Sequence, residues 1–140
     1  MAVSLRRPGK EPDGSFVARS GTRFSAHSGT DGYRQRMEHG ETADYPVAYV
    51  IGSGRHASGY LVQLGGRLFQ SPLCYYKDRH AYDLAPGYER IDDPDFTRPV
   101  GEQCLLCHSS VIDSGYVAIS CERCHGAVEE HLRRPVPGSR

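Results

Sequence analysis

The chain has 140 residues, with seventeen basic and seventeen acidic side chains and a formal net charge of zero, so nothing in its charge favours nucleic acid or an anionic membrane surface. Its size predicts one domain, yet only 38% of residues are hydrophobic, Trp is missing and Phe occurs four times, so a bound group is expected to supply part of the core. No stretch is apolar enough to span a membrane.

Residues 1–22 are rich in Gly, Pro and charge and read as a disordered lead-in. Arg6-Arg7 is not followed by an apolar run, so this is neither a secretory nor a twin-arginine signal. His27-Ser28-Gly29 precedes residues 33–38, whose partial alternation predicts an edge strand. Residues 47–51 predict a short strand, broken by Gly52-Ser53-Gly54. Gly52, Gly54 and Gly59 do not fit G-x-G-x-x-G, and a strand rather than a helix follows, which excludes a nucleotide loop. Small residues there let the backbone pass close to a flat ligand, and His56 is either an iron ligand or a surface-loop histidine.

Residues 60–64 and 67–70 flank Gly65-Gly66, a two-residue hairpin signal. Pro72 ends the second strand or marks it as an edge, and Tyr75-Tyr76 are placed to continue the sheet. His80, after Lys77-Asp78-Arg79, has the weakest claim to a metal. Residues 83–100 hold Pro86-Gly87, Asp92-Asp93-Pro94 and Pro99 and read as turn and loop. Of five cysteines, Cys74 stands apart from the two pairs and reads as a small buried apolar residue.

The C-terminal part carries the chemistry. Cys104-Leu105-Leu106-Cys107-His108 and Cys121-Glu122-Arg123-Cys124-His125 are two copies of C-x-x-C-H, the attachment signature of a c-type haem. On a helical turn, residues three and four apart share a face, so each motif converges two thiols and an imidazole on one side. The thiols suit thioether bonds to the two vinyl groups and the imidazole suits an axial place on the iron. Twelve residues separate His108 from Cys121, at most about 40 Å of extended chain, so the two haems are expected to be neighbours. Zinc is the rival, but the gap between the pairs is shorter than the usual four-thiolate ribbon spacing, and such a site needs no histidine after each pair. His131, six residues after His125, lies about 240° further round a continuing helix. It therefore reaches over a neighbouring haem or is an ordinary exposed histidine beside Glu129 and Glu130.

The run from Cys121 to Leu132 resembles the CxxCHGPGxxHV motif of multihaem c-type cytochromes, the tetrahaem and larger carriers that include the doubled-CXXCH group. Ala127-Val128 stand where that family has Pro-Gly. The segments Tyr49-Val50-Ile51-Gly52-Ser53-Gly54-Arg55-His56, Tyr60-Leu61-Val62, Leu68-Phe69-Gln70, Tyr75-Tyr76 and Leu84-Ala85-Pro86-Gly87-Tyr88 also resemble the region before the paired haems. The likeness spans residues 24–133. Family members carry a further CxxCH nearer the N-terminus, so this chain is expected to be a fragment or a reduced member.

The resemblance implies two haem c groups held through Cys104, Cys107, Cys121 and Cys124, with His108 and His125 as proximal iron ligands. His56 and His131 are the preferred candidates for the distal positions. His27 is the next, because a His before Ser-Gly ahead of such a strand recurs in the related cytochromes. The expected function is electron transfer with redox partner proteins or further haem domains. The alternatives are a multihaem oxidoreductase acting on a small nitrogen or sulfur compound, and a zinc-stabilised CxxC-CxxC module. Haem attachment of this kind takes place outside the cytoplasm, so the implied location is periplasmic or extracellular, and a signal, with a first haem motif, is expected ahead of this sequence.

The expected fold is α+β with low secondary-structure content: a small antiparallel hairpin or sheet, then a haem-binding segment with short helices. The expected division is a lead-in (1–22), a cytochrome domain (23–134, its β part 33–76 and its haem-binding part 101–133) and a polar tail (135–140).

Overall fold

Phe24 and Ala26 are buried while Ser25 and His27 between and beyond them are not, and Tyr33 and Gln35 are buried while Arg34 and Arg36 are not. A period of two is what an extended chain produces when one face packs on a core. The structure is a computed structural model that describes residues 3–52, 55–101 and 116–118. Its strands are β1 (Val3–Arg6), β2 (Gly14–Val17), β3 (Arg23–Gly29), β4 (Gly32–His39), β5 (Glu41–Ile51), β6 (Ala57–Leu64), β7 (Arg67–Tyr76), β8 (Ala81–Leu84), β9 (Arg98–Pro99) and β10 (Tyr116–Ala118).

The expected α+β class is thereby corrected. The described residues are all-β, a curled antiparallel half-barrel with no helix among them, and strand content is high. Even residues 116–118, inside the stretch expected to hold short helices, pair as a strand. The motif residues Cys104, Cys107, His108, Cys121, Cys124 and His125, and His131, lie outside the described residues. The stretch read as a disordered lead-in holds β1 and β2, and Leu5 within it is 2% exposed.

The main path runs β2-β3-β4-β5-β6-β7-β8. β5 joins its two halves: residues 41–46 pair with β4, and residues 47–51 pair with β6 with a register shift between Val47 and Tyr49. The edge of β5 opposite β6 takes β1, with Leu5 opposite Ile51 and Arg6 opposite Val50, and β1 in turn takes β10. β4, expected at an edge, has neighbours on both sides, because strand order depends on non-local pairing.

Gly65 and Gly66 close the β6–β7 hairpin with φ of 56° and 76°, the left-handed geometry of a two-residue hairpin turn that glycine adopts without strain. Pro72 does not end β7. The β6–β7 register moves from Gly59↔Cys74 to Leu61↔Gln70, so Pro72 sits in a bulge, where its missing N–H costs no ladder bond. Its carbonyl accepts a hydrogen bond from Ala85 N at 2.7 Å.

The curl brings β2 against β8. A Cβ on Gly14 would stand 2.7 Å from Tyr82 Cδ2, so only glycine lets that ring close the seam. The inner core is aromatic: Phe24, Tyr33, Tyr60 and Tyr82 with Val50, Val62 and Leu73. The loop after β8 adds Phe96, whose ring centroid lies 4.4 Å from that of Tyr45.

Candidate functional site

The inner face is closed by its own hydrogen bonds. Ser71 Oγ donates to Gln35 Oε1, Gln35 Nε2 donates to Tyr33 Oη at 3.3 Å, and Tyr33 and Tyr82 share a bond at 2.6 Å. Tyr82 donates onward to the Pro12 carbonyl at 2.6 Å, which leaves Tyr33 as donor to Tyr82. Gln35 and Ser71 are fully buried and this chain supplies their partners, whereas the buried Tyr60 hydroxyl has no hydrogen-bond partner among the described residues. Burial first, then mutual charge, pushes the hydroxyls of Tyr33 and Tyr60 far above the usual tyrosine value, and burial does the same for Tyr82.

The outer face divides. Over β3, β4 and the first half of β5 it is charged. Asp44 accepts from Arg34 Nε at 3.0 Å and Arg36 Nη2 at 3.2 Å, and His27 Nε2 lies 3.8 Å from Asp44 Oδ2. Burial raises the Asp44 carboxyl, but hydrogen bonds from both arginines, with the charges of Arg34 and His27, outweigh it and hold the group below the ordinary carboxylate range. His27, a candidate distal ligand, is thus placed beside a carboxylate on this face.

Over β1, the second half of β5, β6 and the start of β7 the outer face is apolar. Leu5 and Leu61 are 2% exposed, with Tyr49, Ile51, Leu68 and Val100 packed around them. Their neighbours Val50, Tyr60, Val62 and Phe69 belong to the inner core, so alternation assigns the two sets to opposite faces. Sequence reasoning missed this surface. Its signal was the run Tyr60-Leu61-Val62, apolar on both faces as in a strand covered on each side.

His56 is exposed at the end of the loop from β5 to β6, its carbonyl accepting from Lys77 N at 2.9 Å. β10 is antiparallel to β1 and β1 to β5, so β10 leaves the sheet at the end where Ile51 leads toward His56. Cys121 follows Ala118 by three residues, a reach of about 10 Å. His80, in the β7–β8 turn at the same end, takes φ of 47°. The structure therefore brings His56 and His80 toward one sheet end and puts His27 elsewhere.

His39 Nδ1 contacts Thr22 Oγ1 and lies 3.6 Å from Asp93 Oδ1, while Thr22 Oγ1 donates to Asp93 at 3.2 Å. Both partners meet one ring nitrogen, whereas a nucleophile–base–acid relay uses the two nitrogens separately. Cys74 is buried, and burial pushes its thiol up, which suits packing rather than reactivity. Between β2 and β8 an open groove of about 410 Å³ is lined by Phe16, Val17, Tyr76, Arg79, Leu84 and Ile91. Arg79 lies over the Tyr76 ring and bonds Asp83 at 3.0 Å. Among the described residues no group of three or more His, Cys, Asp or Glu side chains could hold a metal ion. No helix among the described residues is long and apolar enough to cross a membrane. Comparison with protein-family models, with curated proteins and with solved structures finds no match.

Proposed function

We propose that the chain carries two covalently bound c-type haems and passes electrons between redox partner proteins or further haem domains, outside the cytoplasm. The observation that carries this is the doubled C-x-x-C-H, Cys104–His108 and Cys121–His125. The donor set fits the group: each motif supplies two thiols and one imidazole. Cys104, Cys107, Cys121 and Cys124 would hold the two groups through thioether bonds. His108 and His125 would each give one iron a nitrogen. His56 and His131 are the distal candidates, and His56 has the support of lying at the sheet end that β10 runs toward. When bound, the haems supply the one-electron chemistry, and a second imidazole on each iron favours electron transfer over ligand binding.

The test is intact mass with oxidised and reduced absorption spectra, on protein exported in a host with c-type maturation machinery. The expected result is a mass increased by two haems, a low-spin reduced spectrum, and no change with carbon monoxide. A spectrum that shifts with carbon monoxide would favour the oxidoreductase alternative. A colourless protein holding zinc would overturn the haem reading.

A further inference from the structure

We propose that the open groove between β2 and β8 binds an extended peptide segment of a partner protein, one that carries an apolar side chain and, toward Arg19, a carboxylate. This stands apart from the haem reading. The groove, about 410 Å³ in volume, has Phe16, Val17, Arg19, Tyr76, Leu84 and Ile91 in its lining. Val17 is 52% exposed and Ile91 39%, and these are the large apolar side chains that the described residues leave exposed. Both stand at this groove. Scattered apolar residues on a surface need no explanation, but two that meet over a cleft mark a place of contact.

The two strands that wall the groove end the main path of the sheet, and their outer edges differ. In β8, Ala85 N donates to the Pro72 carbonyl, so by the alternation of an antiparallel ladder Leu84, opposite Leu73, turns its N–H and C=O away from β7. Both are taken by side chains: Leu84 N donates to Asp83 Oδ1 at 2.7 Å, and Tyr76 Oη donates to the Leu84 carbonyl at 2.8 Å. In β2, Ala18 N donates to the Thr22 carbonyl at 2.9 Å, so Val17, opposite Arg23, turns its N–H and C=O away from β3. Among the described residues β2 has β3 as its only ladder partner, and no such side chain covers Val17. An unpaired edge is a template for another strand. A peptide laid along it gains main-chain bonds while its side chains fill the adjoining pocket. The charges of the lining select one end of that peptide. Arg79 and Asp83 hold each other at 3.0 Å and Glu89 Oε2 accepts from Gly87 N at 2.7 Å, whereas Arg19 has no partner among the described residues and suits a carboxylate. A second copy would offer its own β2, walled by its own β8, and two such clefts do not enter one another. A free extended segment does.

The test is calorimetric titration of the full chain with a short peptide that alternates valine and threonine and ends in glutamate, with amide NMR to locate it. Binding must saturate, must displace the Val17 amide resonance and must slow the exchange of that proton with solvent. Methylating the peptide's backbone nitrogens must weaken binding by about tenfold or more, because the Val17 carbonyl then loses its donor. Val17→Asp must weaken binding by a similar factor. Arg19→Glu must weaken the glutamate peptide and leave one ending in glutamine unchanged. Should a variant fail to fold, the methylated peptide decides, since it is measured on the parent protein. No binding, equal binding of the methylated peptide, or a Val17 amide that does not move would each overturn the proposal. A mass in solution that rises with concentration and falls with Val17→Asp would assign the groove to a second copy and overturn it as well. None of these outcomes touches the haem reading, which intact mass decides.

Discussion

The two faces of the sheet solve the same problem differently. The inner face closes on itself: tilted phenol rings pack together, and the hydroxyls of Tyr33 and Tyr82 are satisfied by Gln35, by each other and by the Pro12 carbonyl, while the buried Tyr60 hydroxyl has no hydrogen-bond partner among the described residues. The apolar half of the outer face, around the buried Leu5 and Leu61, is packed by apolar side chains without directional partners. A polar core of this kind specifies one arrangement, whereas apolar burial is non-directional. The inner face is therefore held by directional bonds, and the apolar half of the outer face by packing alone.

Alkaline pH separates the faces most sharply. The folded hydroxyls of Tyr33, Tyr60 and Tyr82 titrate above the unfolded value because burial disfavours the phenolate, so the folded state retains protons that the unfolded state releases. Their contribution is complete below about pH 10 and is lost as pH rises toward the folded values. With three such groups the slope reaches about 4 kcal/mol per pH unit. Tyr76 and Tyr88, pushed up to about 12 by burial, add to it at the start of the range. Tyrosinate absorbance followed against pH must show an early phase from exposed rings and a late one that coincides with loss of the fold. A single phase at the ordinary value would mean the inner face is wet.

Ser71→Ala tests the same face by a smaller step. It removes the donor to Gln35 Oε1 and the acceptor of the Leu73 N–H, a bond of 3.0 Å. Leaving buried polar atoms unpaired costs about 1–3 kcal/mol, so urea denaturation should move to a lower midpoint with an unchanged slope. The haem spectrum of the folded protein should not change, because Ser71 is buried on the inner face with Gln35. A changed spectrum with unchanged stability would break the division between faces.

What could be read in advance follows the range of the interactions. The β6–β7 hairpin is legible because Gly65-Gly66 decides it locally, and the two C-x-x-C-H motifs stand out because each lies within five consecutive residues. β1 and β2 are not: Leu5 and Phe16 stand in short apolar stretches within a run of Gly, Pro and charge, and they become strands by pairing with β5 and β3. The extent of β7 is hidden because Pro72 normally stops a strand, and the bulge that admits it depends on β6. The expectation of helix came from the motifs and was extended to residues whose partners, like β1 for β10, are distant in sequence. The outer face is the least legible part, because its membership depends on strand order and not on any one segment.

The charged half of the outer face gives the finest distinction, since it shares the sheet's outside with the apolar half yet is already engaged. Asp44 holds Arg34 and Arg36 and faces His27, and its carboxyl titrates lower folded than unfolded. The folded state therefore binds fewer protons at this group. Its contribution is complete above the unfolded carboxylate value of about 3.9 and is lost as pH falls through the lower folded one. Because the pair is partly exposed, the expected loss is at most about 1 kcal/mol. Asp44→Asn should lower the denaturation midpoint slightly at neutral pH and leave the variant and the parent equal in stability at acid pH. Added salt should shrink the neutral difference, since exposed charges are screened within about 8 Å at physiological ionic strength. If Asp44→Asn instead altered the haem spectrum, the charged half would lie beside a haem, and His27, freed from its carboxylate, would return as a distal ligand to be tested.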